Sequence, residues 1–335
     1  MQAWILDESP GSYRYGEVPD PAVGPDDVRV RPVASALNHM DLWVTKGKPR
    51  PHLPHVPGCD VAGVVEAVGS AVEGVAVGDE VVVNPRSRPR DGRGPRRRRP
   101  DAPRVPDRRR AALGWPRRAG GRARPQRGPQ ARERTWSECA AFPLATLTAY
   151  RMLRRARLRA GESVLIVGIG GGVSMAALAL AQTMGATVYG TSRDAETRRR
   201  AEEAGATACF ASDEPWPVRC EVVLESVGPA TWERSVGALV PGGRLVVCGG
   251  TSGPVVEVNL PRLFFKQHEI IGSTMGGYGE FAEVVRLVEQ GLPVAVDLEL
   301  PVERYPDALE RLASGRHLGK VVLRHDGAAD DPGAA

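Results

Sequence analysis

A strand-like run, Ser163 to Val167, leads into Gly168-Ile169-Gly170-Gly171-Gly172-Val173-Ser174 and then into an apolar, helix-compatible stretch. Glycines lack a Cβ, so their main chain can approach a phosphate closely, while the free N–H groups and positive end of the following helix favour negative charge. Such a turn can also be a merely tight strand-to-helix connection. Here the next strand-like run, Thr187 to Ser192, ends about twenty residues on, the spacing of a dinucleotide-binding βαβ unit. Gly168, Gly170, Gly171, Gly172, Val173 and Ser174 are therefore the expected pyrophosphate contacts, with Ser174 replacing the third glycine of the motif. At the end of the second strand an acid would hydrogen-bond the ribose 2′-hydroxyl of NAD, whereas small hydroxyls with Arg accommodate the 2′-phosphate of NADP. Thr191-Ser192-Arg193-Asp194 stand there. Ser192 and Arg193 favour NADP(H) over NAD(H), and Asp194 keeps NAD open. Arg193, Arg198, Arg199 and Arg200 also suit a solvated helix face.

The elements that must position this turn follow from the hydrophobic rhythm. From Ala140 the chain alternates strand, turn and helix: SVLIVG, GIGGGVSMAALALAQTMGA, TVYGTS, AETRRRAEEAGA, CEVVLESVG and GGRLVVCGG. That succession winds βαβ units around a parallel sheet. Earlier, residues 26–34 and 58–83 cluster valines between Gly and Asp turns, the pattern of short antiparallel strands curled into a barrel, with no helix. After Gly272 an amphipathic helix is expected over EFAEVVRLVEQG, its apolar face on Phe281, Val284, Val285, Leu287 and Val288, and a last strand over GKVVLRH. The terminal AADDPGAA is expected to fray.

A chain of 335 residues favours two domains and can bury a sizeable core. With 42% hydrophobic and 25% charged residues it is globular in composition, which excludes collagen, coiled coil and disulfide mini-protein. The net charge of +5 is uneven. Residues 86–134 hold 19 Arg against Asp91, Asp101, Asp107 and Glu133, a local +15, leaving the other 286 residues at −10. Five cysteines with no CxxC spacing, and no basic-then-apolar leader, fit a reducing cytoplasm. Val164 to Ala181 lacks charge for 18 residues, but four glycines break it, so no membrane span is expected.

The strings ALNHMDLWVTKG (36–47), LPHVPGCDVAGVVEAVG (53–69), VGDEVVVNP (77–85), AAFPLATLTAYRML (140–153), PGGRLVVCGG (241–250), IIGSTM (270–275) and LGKVVL (318–323), with the glycine turn, resemble the medium-chain dehydrogenase/reductase superfamily, the zinc-type alcohol dehydrogenases and their quinone-reductase relatives. The resemblance covers the chain except 86–134. It implies an α/β protein: a GroES-like β-barrel catalytic domain over 1–145, a Rossmann doubly wound parallel-sheet domain over 146–272, and a return to the catalytic domain over 273–335. In zinc-dependent members a Cys, a His and a Cys hold the catalytic metal, positions that fall here on Asn38, Cys59 and Leu144. One thiol cannot replace the three protein ligands of an open zinc site, so no catalytic metal is expected. His39 and Asp60 stand close in sequence and would hold an ion only if their strands converged.

Without a Lewis acid, oxidation of a simple alcohol leaves the alkoxide poorly stabilised. Hydride delivered to a quinone or to the β-carbon of an enone instead spreads charge into an enolate, which one or two hydrogen-bond donors can stabilise. The zinc-free branch of the family carries out reductions of this kind. Asn38 is the expected carbonyl donor, with His39 and Asp41 in support. Alternatively Asn38 ties its own loop and Asp41 caps the LWVTKG turn. By the same resemblance Thr148, Ser273, Thr274 and Met275 are nicotinamide-side contacts. Ser226, Val227, Gly228, Cys248 and Gly249 end strands at the cofactor edge. Lys320 either pairs with a phosphate or sits on the surface, and His52 and His55 are loop residues.

In residues 86–134, Arg, Pro, Gly and Ala make up 39 of 49 positions, and the only Val, Ile, Leu, Met or Phe are Val105 and Leu113. Such a stretch is expected to be disordered. Many zinc-type relatives carry four closely spaced cysteines there for a structural zinc; this interval has none, so no structural zinc site is expected. These four residue types dominate when a GC-rich gene is read out of frame, and family-like sequence resumes at WSECAAFP. A frame disturbance is one explanation, and an arginine-rich nucleic-acid-binding insertion is the other. The expected function is NAD(P)H-dependent, NADP(H)-preferring and zinc-independent reduction of quinones or activated alkenes, with activity open to impairment by the altered segment; a non-catalytic NADPH-binding sensor or interaction protein is the alternative. A small-molecule substrate and a homodimer through the Rossmann domain are expected, with no nucleic-acid or membrane partner.

Overall fold

The computed structural model describes residues 1–85 and 134–325. The expectations for the arginine-rich segment and the terminal tail therefore fall outside the described residues, except at Arg134. That guanidinium bonds Glu138 Oε1 at 2.8 Å and the carbonyls of Val288 and Leu292 at 3.0 and 2.9 Å.

The chain opens with a hairpin of β1 (Gln2–Ile5) and β2 (Arg14–Glu17). The first valine-rich run forms β3 (Val28–Ala36), and the second splits at its glycine turns into β4 (Asp60–Val68) and β5 (Glu80–Val82), all antiparallel. Between β3 and β4 lies a short helix, α1 (His39–Thr45), which the valine rhythm does not reveal. Two further helices, α2 (Trp136–Ala141) and α3 (Pro143–Ala156), carry the chain toward the second sheet. The expected boundary between 145 and 146 falls in the first turn of α3.

The βαβ succession then appears, with β8, α6, α7 and β11 in addition to the six segments expected: β6 (Ser163–Ile166), α4 (Gly172–Thr183), β7 (Thr187–Ser192), α5 (Ala195–Glu203), β8 (Ala208–Ala211), β9 (Cys220–Glu225), α6 (Trp232–Gly237), β10 (Leu239–Val247), α7 (Leu260–Phe265) and β11 (Glu269–Gly272). All pairings are parallel, in the order β11-β10-β9-β6-β7-β8. Strand order reverses between β6 and β9, so the crevice beyond their carboxyl ends is where a ligand binds in such a sheet. The near-continuous apolar strands reflect burial on both faces. Val164, Leu165, Val222 and Val223 are all 0% exposed.

The last segment contains α8 (Tyr278–Glu289), whose Phe281, Val284 and Val288 are buried as the 3.6-residue period requires. β12 (Val296–Pro301), α9 (Tyr305–Ser314) and β13 (Lys320–Arg324) return to the first sheet, in the order β12-β13-β3-β4-β5. One pair in this sheet, outside the runs expected to be antiparallel, is parallel. β12 and β13 run parallel because α9 connects them as a crossover, which a hairpin could not do. Among the described residues no helix is long and apolar enough to cross a membrane.

Candidate coenzyme and active site

The glycine turn is shaped by contacts that exclude side chains. Gly168 and Gly170 have φ of +75° and +130°, where L-residues are strained. A Cβ on Gly170 would lie 2.8 Å from Thr197 and 3.1 Å from the His317 carbonyl oxygen; one on Gly172 would lie 2.6 Å from the Lys320 chain. Gly171 is the N-cap of α4 and offers no side-chain acceptor to its first N–H groups, and no acidic residue stands in the first turn. Those amides are thus available to an anion. Ser174, at the third glycine's place, uses its hydroxyl to bond the Gly168 carbonyl at 2.9 Å and so tightens the turn. The Gly168 amide donates to Thr191 Oγ1 at 3.1 Å, and Ile169 N to the Thr191 carbonyl at 2.7 Å. Val173 follows within the first turn of α4. The far end of the chain closes over this loop: Gly319 N donates to the Gly170 carbonyl at 2.7 Å.

At the end of β7, Ser192 is buried and Arg193 is exposed. Asp194 caps α5, its Oδ2 accepting from Thr197 N at 2.7 Å and Thr197 Oγ1 at 2.8 Å. These hydrogen bonds hold its carboxyl below the usual range, helped by Arg316 and Arg198 nearby. Arg198 Nη1 bonds the Ser192 carbonyl at 2.7 Å, and Arg193 Nη2 stands 3.8 Å from the Cβ position of Gly315. Arg193 and Arg198 of the Rossmann segment and Arg316 from the loop before β13 thus lie about Ser192 and Asp194. Arg316 was invisible in the sequence because it reaches this point only through the return of β13.

The other predicted contacts occupy the opposite half of the crevice edge. Ser226, Val227 and Gly228 leave β9, and Cys248 and Gly249 leave β10. The two turns are joined: Cys248 N donates to the Glu225 carbonyl at 3.1 Å and Ser252 N to the Val227 carbonyl at 2.8 Å. Burial and Glu225 push the Cys248 thiol up to about 11, so it stands as a small neutral group. Ser273, Thr274 and Met275 follow β11, with Ser273 N bonded to the Val247 carbonyl at 2.7 Å. Thr148 is buried on α3, its hydroxyl donating to the Leu144 carbonyl at 2.7 Å.

Asn38, Asp60 and Lys320 form one cluster. Lys320 Nζ donates to Asn38 Oδ1 at 2.7 Å and to Asp60 Oδ2 at 2.9 Å; Asn38 Nδ2 donates to the same Asp60 oxygen at 2.9 Å. Asp60 Oδ1 accepts from Leu144 N at 2.9 Å. Asp60 is 0% and Lys320 5% exposed, which corrects the surface alternative for Lys320. This cluster tests whether the residues fit the family's catalytic zinc. Of the three ligand positions, Asn38 is engaged by an ammonium, Leu144 contributes only its main chain, and Cys59 alone is a soft donor, 3.5 Å from Asn38 Nδ2. A divalent ion would have to displace a cation held by two oxygens, so this donor set does not fit zinc. Among the described residues no group of three His, Cys, Asp or Glu side chains is placed to hold a metal ion.

His39 and Asp41 flank the cluster differently. His39 opens α1, remains solvent-accessible, and lies 6.1 Å from the buried ring of His317. Desolvation and the Lys320 charge hold His39 below the ordinary imidazole range, and burial, then His39, pushes His317 down to about 4. Asp41 is buried and turned away. Its Oδ2 accepts from Asn38 N at 2.7 Å, capping α1, and its Oδ1 from Gly58 N at 3.2 Å. Burial pushes its carboxyl up to about 6.

Comparison with known proteins agrees with this architecture. Residues 24–127 match the family described as alcohol dehydrogenase GroES-like domain, and 172–290 that described as zinc-binding dehydrogenase. A quinone oxidoreductase of Pseudomonas aeruginosa is 30% identical over 333 aligned positions, covering 93% of this chain and 94% of that protein. A 2-methylene-furan-3-one reductase of Solanum lycopersicum is 29% identical, covering 90% of this chain and 73% of that protein. A crystal structure described as an NAD-dependent alcohol dehydrogenase superposes with a TM-score of 0.83 at 34% identity, covering 97% of this chain and 99% of the other. With a GroES-like domain, a Rossmann sheet and relatives spanning nearly its whole length, the chain belongs to the medium-chain dehydrogenase/reductase superfamily and is an NAD(P)H-dependent oxidoreductase.

Proposed function

We propose that the chain uses NADPH to reduce quinones or conjugated enones without a catalytic metal ion, within domains 1–145 and 273–335 for catalysis and 146–272 for the coenzyme. The observation that carries this reading is the Asn38–Asp60–Lys320 cluster, a fixed cation where metal ligands would otherwise converge. Bound NADPH would supply the hydride. Gly168, Gly170, Gly171, Gly172, Val173 and Ser174 would hold its pyrophosphate, with Lys320 alongside. Thr148, Ser226, Gly228, Cys248, Gly249, Ser273, Thr274 and Met275 would line the nicotinamide half. Ser192 and Arg193, joined by Arg198 and Arg316, favour the 2′-phosphate, since Asp194 is spent on its own helix.

For the substrate, the Asn38 amide is poised by its partners. Lys320 polarises the amide oxygen, which strengthens the N–H groups as donors. One of these is held by Asp60, and the other meets, among the described residues, the Cys59 sulfur, a weak acceptor that a substrate carbonyl can replace. Such a donor, with the Lys320 charge behind it and His39 at the solvent side, suits an oxyanion whose charge is already delocalised. The names of the Pseudomonas and Solanum relatives support the same substrate classes. β11 is the edge of its sheet, with exposed Ile270, Phe264, Phe265, Leu260 and Val258 around it, which supports homodimerisation through this domain.

The test is oxidation of NADPH and NADH across a panel of quinones, enones and simple ketones, with and without a chelator. Turnover of quinones or enones, faster with NADPH and indifferent to chelation, is the expected result. Activity confined to simple ketones and lost on chelation would overturn it.

A further inference from the structure

Glu225, the last residue of β9, is fully buried and is addressed by four donors. Its Oε1 accepts from Val227 N at 2.6 Å and Gly228 N at 3.0 Å; its Oε2 accepts from the hydroxyl of Thr231 at 2.9 Å and that of Ser235. A carboxylate offers about four lone-pair sites, so this one is saturated. All four donors belong to the turn that leaves β9 or to the start of α6. The carboxylate therefore fixes the direction of two consecutive amides and ties them to the helix that follows.

The turn so fixed faces the coenzyme crevice. The Val227 side chain lies 3.2 Å from the Cβ position of Gly168, in the glycine turn itself. Gly228 has φ +93°, and a Cβ there would lie 3.1 Å from the Gly253 carbonyl oxygen, so the turn has little freedom once its amides are held. Ser252 closes it from outside, with N and Oγ both bonding the Val227 carbonyl, at 2.8 and 2.7 Å. In a sheet of this order the adenosine ribose is read at the end of β7, so the other half of the dinucleotide lies beyond β9 and β10.

We propose that Glu225 is a positioning residue for the nicotinamide half of the coenzyme, acting by holding the Val227–Gly228 turn, whose two N–H groups its carboxylate takes up, and leaving the adenosine half untouched. This rests on the coenzyme reading above. The probes are NADPH and 2′,5′-ADP, which carries only the adenosine end and its phosphates. They are titrated by calorimetry into the full-length wild type and into Glu225→Val, Glu225→Asp and Glu225→Gln, with kcat and KM measured alongside.

Glu225→Val removes all four acceptor contacts, and is expected to weaken NADPH about tenfold and to lower kcat while 2′,5′-ADP changes by less than about twofold. Glu225→Asp keeps the charge but withdraws the carboxylate by one methylene, and should show the same pattern to a smaller degree. Glu225→Gln can still accept both amides on its oxygen and donate its NH2 to the two hydroxyls, so it should stay within about twofold of wild type for both probes. If Glu225→Val does not fold, the Asp variant decides. Equal loss of both probes, or loss of neither, overturns the proposal. A wild type that binds neither probe overturns the coenzyme reading and this proposal together.

Discussion

Lys320 and Asp60 are close to fully buried, and each is the other's charge partner. Removing one member of such a pair strands the other in a poorly solvating interior, which costs more than the pair contributes. Lys320→Met is expected to lower unfolding free energy by about 3–5 kcal/mol, and adding Asp60→Asn should restore part of that, because the amide needs no counter-charge. Urea denaturation of the single and double variants checks this; additive losses would mean that the two residues are not coupled. Asp41 carries the opposite lesson, since its hydrogen-bond partners among the described residues are the neutral Asn38 and Gly58 amides. Its folded-state value of about 6 against an ordinary 3.8 means that folding favours the protonated form. That contribution is fully present below 3.8 and is lost as pH rises through 6. At pH 7 the ionised group costs about 3 kcal/mol. Asp41→Asn should therefore gain stability relative to wild type between pH 4 and 7. A constant difference across that range would place the group's titration elsewhere.

At the scale of elements, the glycine turn and the sheet edge make separate demands. Gly170 is held at φ +130° between Thr197 and the His317 carbonyl, so Ala there meets both backbone strain and contact. Gly170→Ala is expected to cost about 1–3 kcal/mol and to displace the Gly319 contact that ties β13 to the turn, raising the Kd for NADPH. Gly242, also at positive φ but with nothing within 4 Å of its Cβ position, is the control: Ala there should cost strain alone and leave coenzyme affinity unchanged. At the other edge, β11 has a side unpaired among the described residues, and Phe264 and Phe265 stand exposed beside it. Phe264→Asp with Phe265→Asp should convert a dimer to a monomer in light scattering without altering coenzyme binding. A wild type that is monomeric at micromolar concentration sinks the dimer reading outright.

Across the whole molecule, what the sequence disclosed and what it hid divide along contact distance. The glycine turn, β6, β7, α4 and α5 were legible because their signals lie within one βαβ unit: glycines at fixed spacing, β-branched runs and a helical period. The Asp60–Lys320 pair was not, since 260 positions separate partners that only the return of β13 brings together. Arg316 was hidden for the same reason, whereas Glu225, whose donors lie within ten positions of it, was hidden by a turn geometry that residue types do not encode. α1 went unread because its seven residues show no long apolar period, although Asp41 as a cap was among the readings of that turn. This long-range construction has a thermodynamic consequence. The coenzyme crevice is built by both sheets, Gly170 to Gly319 on one side and Asn38 to Lys320 on the other, so a ligand lying in it stabilises their union as well as the Rossmann half. Ligand at a hundred times its Kd adds about 2.7 kcal/mol to the folded state, which for a chain of this size raises Tm on the order of 5 °C. NADPH should do this at lower concentration than NADH, because Arg193, Arg198 and Arg316 have a 2′-phosphate to meet only in the former. The difference should shrink at high salt, as exposed charges are screened. Thermal scans over both nicotinamides at low and high salt decide the point: equal shifts at every salt concentration would remove the arginine group from coenzyme choice.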